Sequence, residues 1–249
     1  MLKRFFSFLL NLLYPPRCMV CREIIPINKK GYLCAKCGGE GAFTPITGKT
    51  CAKCSLPLNT AAYLCSNCNR KTHSLESNYA LFLYEGRERE LILNLKYHFG
   101  PSMMKFIKQI LKENINKERF AEADYIIAVP MYKRKEKERG YNQAHLLAGA
   151  LSEITGIPVL TDVLLRQKDT AAQSKLNYYA RQKNVSGVFS LGNNKNAILS
   201  KAILLVDDIY TTGSTMNECS VALLSGGAKI VNGFTFCVAA NQKTDSDSL

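Results

Sequence analysis

From residue 77 onward the chain alternates short apolar runs with longer stretches in which apolar residues recur every three or four positions. The first pattern marks strands and the second amphipathic helices. The runs predict strands at Tyr79 to Tyr84, Tyr125 to Val129, Val163 to Leu165, Ala202 to Val206 and Ile230 to Val238. The periodic stretches predict helices near Arg87 to Tyr97, Ser102 to Glu118, Asn142 to Thr155 and Ser214 to Ser225. Several of these end at a glycine suited to a helix C-cap (Gly100, Gly156, Gly226). Strands and helices in alternation predict an α/β domain over residues 76–240, followed by a polar, disordered tail over 241–249.

Residues 1–16 carry a different pattern. Leu2, Phe5, Phe6, Leu9, Leu12 and Leu13 fall opposite Arg4, Ser7 and Asn11, which predicts an amphipathic helix closed by Pro15 and Pro16. Lys3 and Arg4 ahead of an apolar stretch imitate a signal peptide, but no small-residue cleavage site follows. The helix is expected to pack against the protein. No stretch is long enough to span ~30 Å of lipid, and the expected location is the cytoplasm. Residues 17–75 show no apolar period at all and cannot fold around a hydrophobic core alone.

Cysteine changes the reading of that segment. Eight of the ten cysteines form four CxxC pairs, Cys18/Cys21, Cys34/Cys37, Cys51/Cys54 and Cys65/Cys68, separated by 12, 13 and 10 residues. A CxxC turn points two sulfurs at one ion, and two turns close a tetrahedron around Zn²⁺, so four turns make two structural four-cysteine sites. Successive pairing gives Cys18, Cys21, Cys34 and Cys37 for one ion and Cys51, Cys54, Cys65 and Cys68 for the other. A cross-braced pairing, first with third and second with fourth, fits the same spacing. Thiol redox chemistry would need only one pair beside a thioredoxin-like strand and helix. Cys219 and Cys237 read as buried apolar residues, and His73 as a surface histidine beside the last pair.

The charge is uneven. The 249 residues hold 33 Lys and Arg against 20 Asp and Glu, a net +13. Residues 1–75 contribute eleven cations against two anions, so most of the excess lies on the cysteine-rich segment. That favours an acidic partner: nucleic acid, a phosphorylated small molecule or an anionic surface. At 47% hydrophobic residues the chain is not disordered.

The segment Ile203 to Thr215, ILLVDDIYTTGST, narrows the choice. Four apolar residues predict a strand buried on both faces, with Asp207 and Asp208 at its C-terminal end, where open α/β sheets bind ligands. Thr211, Thr212, Gly213, Ser214 and Thr215 then form a hydroxyl-rich turn opening a helix, which offers N–H groups, hydroxyls and a positive dipole end to a phosphate. The carboxylates accept hydrogen bonds from vicinal hydroxyls. Phosphate and diol side by side mean a ribose phosphate.

This run resembles the phosphoribosyl pyrophosphate (PRPP) motif of type I phosphoribosyltransferases. Together with the CxxC ribbons after Pro15-Pro16, the segment Ile92 to Gly100, Val129-Pro130, the block Arg139 to Ala144 and the stretch Arg166 to Phe189, it resembles the ComF family of competence-related proteins. The resemblance implies a double zinc ribbon (17–75) ahead of a type I phosphoribosyltransferase-like open, mostly parallel sheet with flanking helices. It implies that Asp207 and Asp208 hold the ribose hydroxyls and Thr211 to Thr215 the 5-phosphate. The turn Val129-Pro130-Met131-Tyr132 would face the diphosphate, through an unusual peptide geometry. Thr170, Gln173, Leu176, Arg181 and Asn184 match a loop that closes over substrate. Arg139, Arg166 and Lys168 are candidates to stabilise the diphosphate, with Mg²⁺ bridging PRPP oxygens. Lys96 either points to the site or favours the dipole of its helix end.

Two functions follow. One is phosphoribosyl transfer from PRPP to an acceptor. The other is a DNA-uptake accessory that binds single-stranded DNA through Lys133, Arg134, Lys135, Lys137 and Arg139, with Tyr32, Tyr63 or Tyr141 stacking on bases and PRPP as a regulator. The segment Lys133 to Arg139 also reads as a solvated loop.

Overall fold

The computed structural model describes residues 14–29, 31–39, 41–168 and 187–240. A short helix α1 (Ser66–Asn69) lies in the cysteine-rich segment. The elements after it are β1 (Asn78–Leu83), α2 (Gly86–Tyr97), α3 (Met104–Asn114), β2 (Tyr125–Ala128), α4 (Lys133–Arg139) and α5 (Gln143–Thr155). They continue with β3 (Leu164–Arg166), β4 (Phe189–Leu191), β5 (Ala202–Tyr210), α6 (Ser214–Ser225) and β6 (Ile230–Val238).

Four strands make one sheet in the order β1-β6-β5-β2, parallel throughout. Successive residues of β5 face opposite sides. Leu204 and Val206 pack with Leu91, Leu95, Ile107 and Leu151 of α2, α3 and α5 on one face. Ile203 and Leu205 pack with Met216, Cys219 and Leu223 of α6 on the other. A strand buried on both faces must be apolar at every position, which is why ILLV reads as a continuous run. β3 and β4 form a separate antiparallel ribbon.

The cysteine-rich segment is built into both cores. Cys18, Val20, Ile25, Cys34 and Cys37 join the α2–α3 side, where Tyr32 stacks on Phe106 at 5.0 Å. Cys51, Cys54, Cys65, Cys68 and Leu75 join the α6 side with Tyr210. Cys219 and Cys237 are fully buried, and burial raises their thiol pKa values well above the ordinary range.

Four expectations shift. The helix expected over Ser102 to Glu118 is three pieces: a 3₁₀ turn Gly100–Met103, α3, and a second 3₁₀ turn Lys117–Phe120 whose cap, Asn116, accepts from the Glu118 amide. Asn114 and Asn116 compete for local backbone groups and break the helix there. Lys133 to Arg139 is helical, not a loop; it carries no apolar residue to signal a period, and Gly140 ends it at φ +84°. β5 does not stop at Val206, because β6 pairs with it as far as Tyr210 opposite Val238. β4 is too short to stand out of the sequence and exists as the partner of β3. Residues 1–13 and 241–249, with the expected N-terminal helix and tail, lie outside the described residues. No helix among the described residues is long and apolar enough to cross a membrane.

Candidate functional site

The eight paired cysteines gather into two clusters in sequence order, Cys18, Cys21, Cys34, Cys37 and Cys51, Cys54, Cys65, Cys68, with the sulfurs of each within 4.8 Å of one another. The cross-braced alternative is thereby ruled out. A Zn–S bond of ~2.3 Å places tetrahedral sulfurs roughly 3.8 Å apart. Cys21 Sγ to Cys34 Sγ is 3.6 Å and Cys54 Sγ to Cys65 Sγ is 3.8 Å, so both sets fit a zinc ion. His73 is not a ligand: its ring bonds the Cys68 carbonyl at 2.8 Å.

Each ribbon is tied to a different part of the α/β domain. In the first, Asn94 of α2, buried, donates from Nδ2 to the carbonyls of Met19 (3.0 Å) and Val20 (2.6 Å), which lie between two ligands. In the second, Lys71 Nζ donates to the Thr212 carbonyl at 2.7 Å, and the Ser74 amide donates to Asn217 Oδ1 at 2.7 Å.

Between these anchors a cleft of ≈ 930 Å³ opens at the C-terminal ends of β2, β5 and β6. It gathers Asp207 and Asp208 from β5, Thr211 and Thr215 from the following turn, Pro130 and Met131 from the turn after β2, Arg139 from the end of α4 and Arg166 from β3. Thr212, Gly213 and Ser214 belong to the same turn but line its other side, with Arg70, Lys71 and His73. There Thr212 Oγ1 and Ser214 Oγ bond each other at 2.9 Å. Lys168 is exposed and does not line the cleft. Thr170, Gln173, Leu176, Arg181 and Asn184 lie outside the described residues. No cis peptide bond occurs among the described residues, so the turn at Val129-Pro130 has ordinary geometry; Asn142 Nδ2 holds it through the Val129 carbonyl at 2.9 Å.

The charge in the cleft is layered. Asp207 Oδ1 accepts the Asp208 amide at 2.8 Å. Burial, reinforced by the Asp208 charge, pushes the Asp207 carboxyl up to about 8. Lys96, near the end of α2, places Nζ 2.6 Å from Asp208 Oδ2. Burial alone pulls its ammonium down, but the charges of Asp208 and Asp207 outweigh that and hold it above its ordinary value. Arg139 stacks on Tyr97 at 5.3 Å, and Arg166 on Phe189 at 5.6 Å.

Among the cleft residues that the sequence did not single out as site residues, two stand out. Lys96 is one; of the two roles open to it, the structure gives it the site. Gln143 is the other: only 3% exposed, it lines the cleft, and its Nε2 has no hydrogen-bond partner among the described residues. Its signal in the sequence was its place directly after an N-cap, where Asn142 Oδ1 accepts the Ala144 amide and the helix faces the sheet's ligand edge. Of the three tyrosines considered for base stacking, Tyr32 is spent on Phe106 and Tyr141 bonds the Leu95 carbonyl at 2.5 Å, while Tyr63 is 81% exposed.

Fold and site define a class: an open parallel sheet with flanking helices and a cleft at its C-terminal edge, preceded by a segment that holds two four-cysteine clusters. The model of the "Double zinc ribbon domain" family matches residues 9–69. Over 217 residues the chain is 30% identical to "Competence protein F" of Haemophilus influenzae, covering 86% of this chain and 93% of that protein. It is 27% identical to "DNA utilization protein YhgH" of Escherichia coli K12, over 90% of this chain and 97% of the relative. It is also 27% identical to "Competence protein ComFC" of Bacillus subtilis, over 86% and 87%. The chain belongs to the ComF family of competence proteins. Solved structures with a partial likeness include the glutamine PRPP amidotransferase of Bacillus subtilis (20% identity, 55% of this chain and 26% of that one, TM-score 0.36). Another is a purine phosphoribosyltransferase of Pyrococcus horikoshii (17%, 56% and 83%, TM-score 0.32).

Proposed function

We propose that the protein binds PRPP and transfers its phosphoribosyl group to an acceptor, in the service of handling incoming DNA in the cytoplasm. The observation that carries this reading is the convergence on one cleft of Asp207 and Asp208 with Thr211 and Thr215 at the C-terminal ends of a parallel sheet. Asp208 accepts from one ribose hydroxyl, and the Asp207 carboxyl, held neutral below about pH 8, bonds the other. The turn and the N-terminus of the twelve-residue α6 take the 5-phosphate. The Pro130-Met131 turn, Arg139 and Arg166 face the diphosphate, whereas Lys168, exposed outside the cleft, takes no part in this reading. When the C1–O bond breaks, the electron pair leaves with the diphosphate and the acceptor's lone pair forms the new bond at C1. Charge then grows on diphosphate oxygens that these cations meet. Mg²⁺, when bound with PRPP, neutralises the same oxygens.

PRPP titration by calorimetry tests the reading. Asp207→Asn and Asp208→Asn are expected to weaken binding at least about tenfold with the fold intact; equal affinity in wild type and variants would sink it. Diphosphate release across a panel of amines and bases then separates transfer from binding alone.

A second reading, a PRPP-regulated accessory for single-stranded DNA, is favoured by α4. Its five cations and two glutamates form an exposed helix on the rim of the cleft, and the relatives carry competence and DNA utilization names. Affinity for single strands that falls with salt at a log–log slope near ~0.7 per phosphate contact supports it; a flat response removes it.

A further inference from the structure

The Lys96–Asp208 pair is placed where a merely stabilising ion pair would be poorly spent. Taking both charges out of water costs as much as their attraction returns, so such a pair is weak evidence for stability. Yet the protein holds this lysine firmly. Tyr141 Oη donates to the carbonyls of Leu95 (2.5 Å) and Lys96 (3.2 Å), fixing the last turn of α2 from the link between α4 and α5. One residue pair earlier in that helix, Asn94 is locked to the first zinc ribbon. Lys96 retains 20% of its side-chain exposure and Asp208 11%, and both line the cleft.

The chemistry of the pair is specific. An ammonium has three donors and no acceptor, and a carboxylate has acceptors only. Nζ uses one direction on Asp208, and the pair therefore offers a donor and an acceptor side by side. A phosphate is an anion that the Asp208 carboxylate repels, so it gains little from the acidic half of the pair. A hydroxyl both donates and accepts, and two vicinal hydroxyls satisfy the ammonium and the carboxylates together.

We propose that Lys96 is a specificity-determining residue of the cleft, which with Asp208 recognises the vicinal hydroxyls of a ribose and so selects ribose phosphates over 2-deoxyribose phosphates. This rests on the ribose phosphate reading of the cleft. It adds to that reading a residue and a selectivity: loss of one hydroxyl leaves a remaining donor of Lys96 or acceptor of Asp208 unfilled in the closed cleft, although the two charges still face each other, and sites built to bond a hydroxyl reject analogues that lack it.

The test measures affinity for ribose 5-phosphate, 2-deoxyribose 5-phosphate and inorganic phosphate in wild type and in Lys96→Met, which keeps the length of the side chain and removes its charge and donors. Wild type is expected to prefer ribose 5-phosphate at least about tenfold. K96M is expected to bring the two sugars within about threefold of each other; the charge it removes weakens both sugar phosphates and inorganic phosphate alike, so the ratio between the two sugars alone reads the hydroxyl contact. A K96M protein that keeps the wild-type preference overturns the role of Lys96. Wild type that binds both sugars equally overturns it without any variant, so a K96M protein that misfolds does not rescue the idea. Wild type that binds neither sugar phosphate overturns the ribose phosphate reading itself.

Discussion

Asp207 shows how far one residue's role was legible. Its place after an apolar run marked it as a ligand group, but the lysine beside its neighbour Asp208 comes from a helix about 110 residues earlier, and no local pattern foretold Lys96 there. The consequence is a pH effect with a definite sign. The carboxyl rises from 3.8 to about 8 on folding, through burial and the Asp208 charge. The folded state thus binds this proton more tightly than the unfolded chain. The stabilisation is complete below about pH 4 and is lost as pH climbs through about 8. Between pH 6 and 8.5 the melting temperature of the zinc-loaded protein is expected to fall, and Asp207→Asn to flatten that slope. A slope that persists in the Asn variant assigns the titration to another group.

At the scale of elements, strands and long helices were legible because burial on one or both faces leaves a period in the sequence. α4 was not, since a wholly polar helix has no period to read, and neither was the division of labour inside Thr211–Thr215. Only the structure separates Thr211 and Thr215, on the cleft, from Thr212 and Ser214, on the ribbon side. Gly213 sets that split. It caps α6 at φ +77°, and a Cβ there would run into the Tyr210 ring and hydroxyl. Gly140 has a similar φ of +84° but open space around it. Gly140→Ala should therefore cost only the left-handed strain, about 1–2 kcal/mol by chemical denaturation. Gly213→Ala should cost more and also weaken inorganic phosphate binding by about tenfold, because the turn must move off Tyr210. Equal costs, with phosphate binding intact in both, would refute the packing argument.

At the scale of the molecule, the two ribbons are not a separate module appended to a sheet. CxxC spacing predicted two zinc sites, but it held no information about where they dock, because several of the polar docking contacts run to backbone carbonyls at Met19, Val20 and Thr212, which carry no side-chain signature. The first ribbon holds α2 and so the Lys96–Asp208 wall; the second holds the phosphate turn through Lys71 and shares a core with Tyr210. Structural zinc contributes directly to the folding of its ribbon, so losing one ion should damage one side of the cleft more than the other. Cys51→Ser, with zinc content reduced by one ion, is expected to weaken inorganic phosphate binding about tenfold. Cys18→Ser is expected to spare phosphate and to erode the preference for ribose 5-phosphate over its 2-deoxy analogue, as loosening α2 lets Lys96 leave Asp208. Metal analysis fixes the zinc count of each variant, and titration with the three ligands reads the two walls apart. Parallel losses in both variants would mean that the ribbons support the fold as a whole; opposite losses, each on its own wall, would mean that the double ribbon exists in this chain to hold the two halves of one ligand site in register.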